Sequence, residues 1–159
     1  SGCLIISLLN ERINCFGTAI DISKEAIKVA KINAKLHHLQ NKIKFFNIDI
    51  DKFKSSKYDL IISNPPYVNK IDLSRLDEDV RLYEPTLALY GGVTGFDEIK
   101  KIIKKSSKLL KYRGRLIIEI GDRQRNYTVE NLLKNGFYIN KICSDFSGKD
   151  RCIVSTKIN

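Results

Sequence analysis

The sequence predicts a doubly wound α/β sheet closed by an antiparallel hairpin, and three observations carry that prediction. Short apolar runs alternate with amphipathic helical segments along the 159 residues, the pattern of a parallel sheet with crossover helices. The last two apolar runs, "FYINKICSD" and "DRCIVSTKI", are joined only by "FSGK", which reads as a hairpin. Finally, Asp21, Asp49 and Asn64 each fall at the carboxyl end of a predicted strand. Ligands bind at those strand ends in open α/β sheets.

The elements follow in order. "SGCLIISLL" is amphipathic helical material from the first residues. "CFGTAID" is a short strand ending on Asp21. "SKEAIKVAKINAKL" is a helix with Ser23 as its N-cap and two apolar stripes, Ile27, Ala30, Ala34 and Val29, Ile32, Leu36. "KIKFFNID" is a second strand, ending on Asp49, and "YDLIISN" a third. Residues 68–95 carry little periodicity and are expected to form a long functional loop. A helix over "TGFDEIKKIIKKSSKLL" follows, striped by Phe96, Ile99, Ile103 and Leu110, with Thr94 and Asp97 at capping-box spacing. "GRLIIEIG" is a buried strand, and "NYTVENLLKNG" a helix stopped by Gly136.

Composition narrows the function classes. The length suits a single domain, residues 1–159, with a core of its own. No apolar run approaches the roughly 18–20 residues of a membrane span, and no signal peptide or repeat is visible, so a soluble, cytoplasmic protein is expected. The net charge of +10 is compatible with a nucleic-acid partner, but the lysines are scattered as on a solvated surface. Cys3, Cys15, Cys143 and Cys152 form no CxxC pair and lack a neighbouring histidine, so metal-ligand spacing is absent. Each lies in or beside an apolar run, where reduced core thiols are expected. His37 and His38 are expected at the surface.

The strand-end residues suggest a nucleoside site. An acidic residue ending the second strand of a nucleotide-binding α/β fold accepts hydrogen bonds from ribose hydroxyls, a role open to Asp21. Asp49 suits the exocyclic amine of a purine, with Ile50 packing against the ring. Either aspartate is equally at home as an ordinary turn residue.

Asn64, Pro65, Pro66 and Tyr67 end the third strand as "NPPY". Residues 59–68, "DLIISNPPYV", resemble motif IV of methyltransferases that use S-adenosylmethionine and attack an amide or exocyclic amino nitrogen. The residue types match that chemistry. A planar amide nitrogen has a delocalised lone pair and is a poor nucleophile. Two acceptors, the Asn64 side-chain oxygen and the Pro65 carbonyl, can bind both of its hydrogens and hold it in line for transfer. The prolines lock two φ angles so that both acceptors stay aimed. Tyr67 offers a flat face to the planar group. Neither a metal nor a covalent nucleophile is called for.

With further segments, the chain resembles the catalytic domain of the HemK-like protein-(glutamine-N5) methyltransferases. "AIDISKEAIKVAKINA" is similar to their second strand and following helix, "DVRLYEPTLALYGGVTG" to their Arg-x-x-Glu-Pro-x-x-Ala-Leu segment, and "DFSGKDRCIV" to their closing hairpin. The resemblance implies an S-adenosylmethionine-dependent, Rossmann-like fold that releases S-adenosylhomocysteine. It implies peptide chain release factors as protein substrate, with the glutamine of their Gly-Gly-Gln loop as methyl acceptor. Cofactor contacts then fall on Gly2, Asp21, Asp49, Ile50 and Asn64, catalytic and substrate contacts on Asn64, Pro65, Pro66 and Tyr67. Arg81 and Glu84 stand as supporting residues or as a structural ion pair.

The chain also departs from that family. Of its glycine-rich cofactor loop only Ser1 and Gly2 correspond, so an N-terminally truncated domain lacking its first strand is expected. Its loss would leave two strands without their shared neighbour and impair cofactor binding. Ile50 stands where the family places an aromatic. Two alternatives stay open at this point: an amino-methyltransferase acting on adenine or guanine in DNA or RNA, and an inactive remnant.

Overall fold

A computed structural model describes residues 1–55 and 57–159, which divide into two units, Ser1–Lys54 and Ser55–Asn159. In the first unit, Gly2 takes a left-handed conformation (φ 72°) as N-cap of helix α1, Cys3–Glu11. Strand β1, Gly17–Asp21, precedes helix α2, Lys24–Leu36, and strand β2, Ile43–Asn47. β1 and β2 are parallel, paired from Gly17 with Ile43 to Asp21 with Asn47. Ile6, Leu9, Ala34, Leu39 and Ile43 form the core between helices and sheet.

Ser23 caps α2 as expected, its Oγ accepting the Ala26 N–H at 3.1 Å. Of the two apolar stripes on this helix only one faces inward. Ile27, Ala30 and Ala34 are buried, whereas Val29, Ile32 and Leu36 are exposed. β2 stops at Asn47, short of the expected Asp49. Asp49 instead opens a turn, its carbonyl accepting the Lys52 and Phe53 N–H groups at 3.0 and 3.1 Å.

The second unit begins with β3, Tyr58–Ser63. Residues 68–95 are not the irregular loop expected, because three short helices run through them: α3, Lys70–Leu73, α4, Glu78–Tyr83, and α5, Thr86–Leu89. Four to six residues make barely a turn and a half, too few for hydrophobic periodicity to register. Helix α6, Asp97–Leu109, leads into β4, Leu110–Glu119. Helix α7, Arg125–Lys134, then precedes the hairpin of β5, Phe137–Ser144, and β6, Asp150–Lys157. The sheet order is β3-β4-β6-β5, with β3 and β4 parallel and the remaining pairs antiparallel. Among the described residues β1 pairs with β2 alone, and β3 with β4 alone.

The core of this unit gathers Ile99 and Ile103 from α6, Leu110, Leu116 and Ile118 from β4, Leu132 from α7, Phe137 from β5 and Ile153 from β6. The predicted capping box is replaced. Gly95 turns the chain at φ 79°, Phe96 takes the N-cap position, and the Asp97 N–H bonds to the Gly91 carbonyl at 3.0 Å. Gly136 ends α7 at φ 78° as expected, a conformation open to glycine without a Cβ penalty.

The cysteines are not core residues. Cys3 and Cys15 are exposed and Cys143 and Cys152 half-buried, all as free thiols. Cys3 precedes the first inward position of α1, and Cys15 lies in the connection before β1. His37 and His38 are exposed. Among the described residues no helix is long and apolar enough to cross a membrane.

Candidate functional site

In the Ser1–Lys54 unit, parallel pairing brings Asp21 and the residues after β2 to the same sheet end. The Ile48 N–H donates to the Asp21 carbonyl at 3.0 Å, and Asn47 Nδ2 donates to the Asp21 and Ile22 carbonyls at 3.0 and 2.9 Å. Each carboxylate is held by a local turn: Asp21 Oδ1 accepts the Ser23 N–H, and Asp49 Oδ1 the Asp51 N–H, both at 2.8 Å. Thus both roles weighed for these aspartates are compatible, since the turn fixes one oxygen of a half-buried carboxylate at a strand end. Ile50 follows, half-buried, in the turn closed by Phe53. Gly2 lies against α2, where a Cβ would stand 2.9 Å from that of Ala30. The Asp21 carboxylate at the end of β1 and the Asp49 carboxylate in the turn after β2, with Ile50 beside it, are an acceptor set of the kind that suits the hydroxyls and amine of a nucleoside.

In the Ser55–Asn159 unit, β3 delivers Asn64 one residue beyond Ser63, which pairs with Ile118 of β4. Asn64 is exposed, and its side-chain amide makes no intramolecular hydrogen bond among the described residues. Pro65 is buried, and Pro66 and Tyr67 are half-buried. An acceptor left open to solvent on a buried proline anchor is suited to meet a partner from outside.

The segment after the motif is held tightly. The Val68 N–H donates to the Leu89 carbonyl and the Gly91 N–H to the Val68 carbonyl, both at 2.9 Å. Three glycines crowd the motif: added Cβ atoms would stand 2.6 Å from Pro66 O at Gly91, 2.6 Å from Tyr67 O at Gly95 and 2.7 Å from Tyr67 Cδ2 at Gly121. Gln124, also buried, donates from Nε2 to Tyr67 O at 3.1 Å and to Gly95 O at 3.0 Å. None of these four residues was singled out by the sequence reading. The clustered glycines of "YGGVTG" and Gly121, two residues after β4, are the signal that could have found them.

Tyr67 is less available as a flat surface than expected. Its ring packs against the core of the unit and its hydroxyl faces the Glu119 carboxylate at the end of β4. Burial first, then Glu119, raise the phenol above its ordinary range, while Arg151 opposes them. Arg151 is itself fastened to Asp145 through Nε at 2.8 Å. Glu84 is exposed at the C-cap of α4, and the side chain of Arg81 lies outside the described residues.

Parallel β/α elements with polar acceptors after their strands in the one unit, and a stiffened amide-bearing motif after a parallel strand in the other, are features of the Rossmann-like class. Residues 1–157 match the methyltransferase domain family, and the chain belongs to it. S-adenosylmethionine is the methyl donor of this fold and family. The chain is 37% identical over 141 residues to a release factor glutamine methyltransferase of Clostridium acetobutylicum, covering 86% of this chain and 49% of that protein. It is 40% identical over 125 residues to a ribosomal protein uL3 glutamine methyltransferase of Francisella tularensis, covering 78% and 40% respectively. These relatives agree with the resemblance drawn from the motifs. The chain spans about half or less of the curated relatives it matches, from 28% to 49% of their lengths. Among solved structures, a methyltransferase from Pyrococcus furiosus superposes with a TM-score of 0.72 at 18% identity, over 99% of this chain and 70% of that one, a likeness of fold.

Proposed function

We propose that the chain, as one catalytic domain over residues 1–159, takes part in S-adenosylmethionine-dependent methylation of a glutamine side-chain amide at N5. The proposed acceptor is the Gly-Gly-Gln loop of peptide chain release factors, in the cytoplasm. The observation that carries this reading is the exposed Asn64 amide, unpartnered among the described residues and set on a buried Pro65 at the end of β3.

Asn64 Oδ1 and the Pro65 carbonyl accept the two N–H bonds of the substrate amide, which orients its nitrogen and favours the charge that develops on it. Pro65 and Pro66 restrict the backbone between these acceptors and Tyr67. Tyr67, half-buried, borders the amide plane with the part of its ring left open. Asp21 would hold ribose hydroxyls and Asp49 an exocyclic amine, with Ile50 against the base, and Gly2 and Asn64 as further contacts. S-adenosylmethionine, when bound, supplies a methyl group activated by its sulfonium sulfur. No residue need form a covalent intermediate.

The relative named for ribosomal protein uL3 supports a second acceptor of the same chemistry, a glutamine in a ribosomal protein. The test is transfer of methyl label from S-adenosylmethionine to purified release factor, to uL3, and to DNA and RNA. Label on a release factor glutamine is expected. Label confined to uL3 would move the acceptor, and label confined to nucleic acid would overturn the glutamine reading.

A further inference from the structure

Between Ser63 and Tyr67 the chain has few soft torsions. Ser63 is fixed in the β3–β4 ladder, and the φ angles of Pro65 and Pro66 are locked. Whatever fixes Tyr67 therefore also narrows the directions open to the Pro65 carbonyl and to the backbone that carries Asn64. The structure holds Tyr67 by its ring against the core of the unit, by its hydroxyl at Glu119 and by its carbonyl. Gln124 Nε2 places one N–H on Tyr67 O and the other on Gly95 O, while Gln124 Oε1 accepts the Gly121 N–H at 2.8 Å. All three bonds involve a side chain that is 7% exposed, so water does not readily replace them. The orientation of the amide is unambiguous, because a flipped amide would put an oxygen against two carbonyl oxygens.

The base of this side chain is equally well held. Gln124 is the N-cap of α7, and its carbonyl accepts both the N–H and the Oγ1–H of Thr128, at 3.0 and 2.8 Å. A single amide thus ties together the motif after β3, the Gly95 turn before α6 and the Gly121 turn after β4. Each arrives from a different element, and the motif segment is joined to the segment before Gly95 also by the Val68–Leu89 and Gly91–Val68 backbone bonds.

We infer that Gln124 is the positioning residue of the methyl-transfer motif: its amide clamps the Tyr67 carbonyl to the Gly95 and Gly121 turns and so aims Asn64 Oδ1 and the Pro65 carbonyl at the substrate nitrogen. This rests on the glutamine-methylation reading for its catalytic consequence, but the clamp itself is a property of the loop. Gln124 touches neither substrate nor cofactor in this account.

The test pairs Gln124→Ala and Gln124→Glu with two readouts on the whole chain. In the first, amide hydrogen exchange of residues 67–69 and 91–97 should quicken roughly tenfold in Gln124→Ala, with the β5–β6 hairpin unchanged. In the second, kcat for methyl transfer should fall by about a hundredfold while KM for S-adenosylmethionine holds, the pattern of a misaimed acceptor. Gln124→Glu keeps the acceptor for Gly121 and, when protonated, one donor. It should therefore regain loop protection and turnover as pH falls, where Gln124→Ala does not. Unchanged loop exchange in Gln124→Ala overturns the inference. So does a uniform rise in exchange across the hairpin in both variants without recovery of Gln124→Glu at low pH, which marks a general structural role. A wild-type chain that methylates no glutamine substrate sinks the proposed function instead, and the exchange readout still decides whether Gln124 holds the loop.

Discussion

The backbone of Gly91 lies so close to Pro66 that a Cβ on it would stand 2.6 Å from the Pro66 carbonyl oxygen and 2.7 Å from Tyr67 Cα. Both obstacles are main-chain atoms, so no rotamer change relieves them. Gly91→Ala should displace the motif at a cost of about 1–3 kcal/mol in stability and reduce methyl transfer far more than that loss explains. Thermal unfolding and turnover of the variant, measured side by side, check this. A variant with wild-type turnover would show that the loop tolerates the shift.

Asn64 offers the opposite case. Because its amide is exposed and unpartnered among the described residues, Asn64→Ala should leave stability within about 0.5 kcal/mol. Methyl transfer should be abolished, while titration with S-adenosylhomocysteine detects largely unchanged binding. Retained turnover would remove Asn64 from the catalytic role.

The contrast between these residues marks what could be read from sequence. The end of β3 before Asn64, Pro65 and Pro66 is legible because two consecutive prolines stop a strand. Asp21 is legible because β1 ends on it, whereas Asp49 proved to open a turn after β2. The helix stripe of Ile27, Ala30 and Ala34 was visible, but which of two stripes faced the sheet depended on packing that periodicity does not encode. Gln124 was invisible for a different reason. Its bonds reach residues 57 and 29 positions away, and no local pattern distinguishes a glutamine that clamps from one that faces solvent.

Ser106 is a local inconsistency in the fold. It is fully buried on α6, and its hydroxyl has no hydrogen-bond partner among the described residues. Serine is also a poorer helix former than alanine. Ser106→Ala should stabilise the chain by about 1 kcal/mol, read as a higher denaturation midpoint at unchanged slope. A lower midpoint would mean that the hydroxyl is satisfied in solution.

Asp145 gives a pH dependence with a definite sign. Its carboxylate accepts the Ser147 and Lys149 N–H groups, both at 2.9 Å, and Arg151 Nε at 2.8 Å, which organises the turn between β5 and β6. The Lys149 backbone bond and then the Arg151 side-chain bond hold its pKa below the ordinary value. A carboxyl with a depressed folded pKa stabilises the fold above its unfolded pKa, near 3.9. That contribution is lost as pH falls through the lower, folded value. Exchange of the turn amides, Ser147 and Lys149, should therefore accelerate relative to the intrinsic rate on the acid side, while at neutral pH the turn stays protected. Asp145→Asn cannot ionise, so it should loosen the turn at neutral pH and remove the acid-side transition. A variant that keeps the same transition would remove Asp145 as its source.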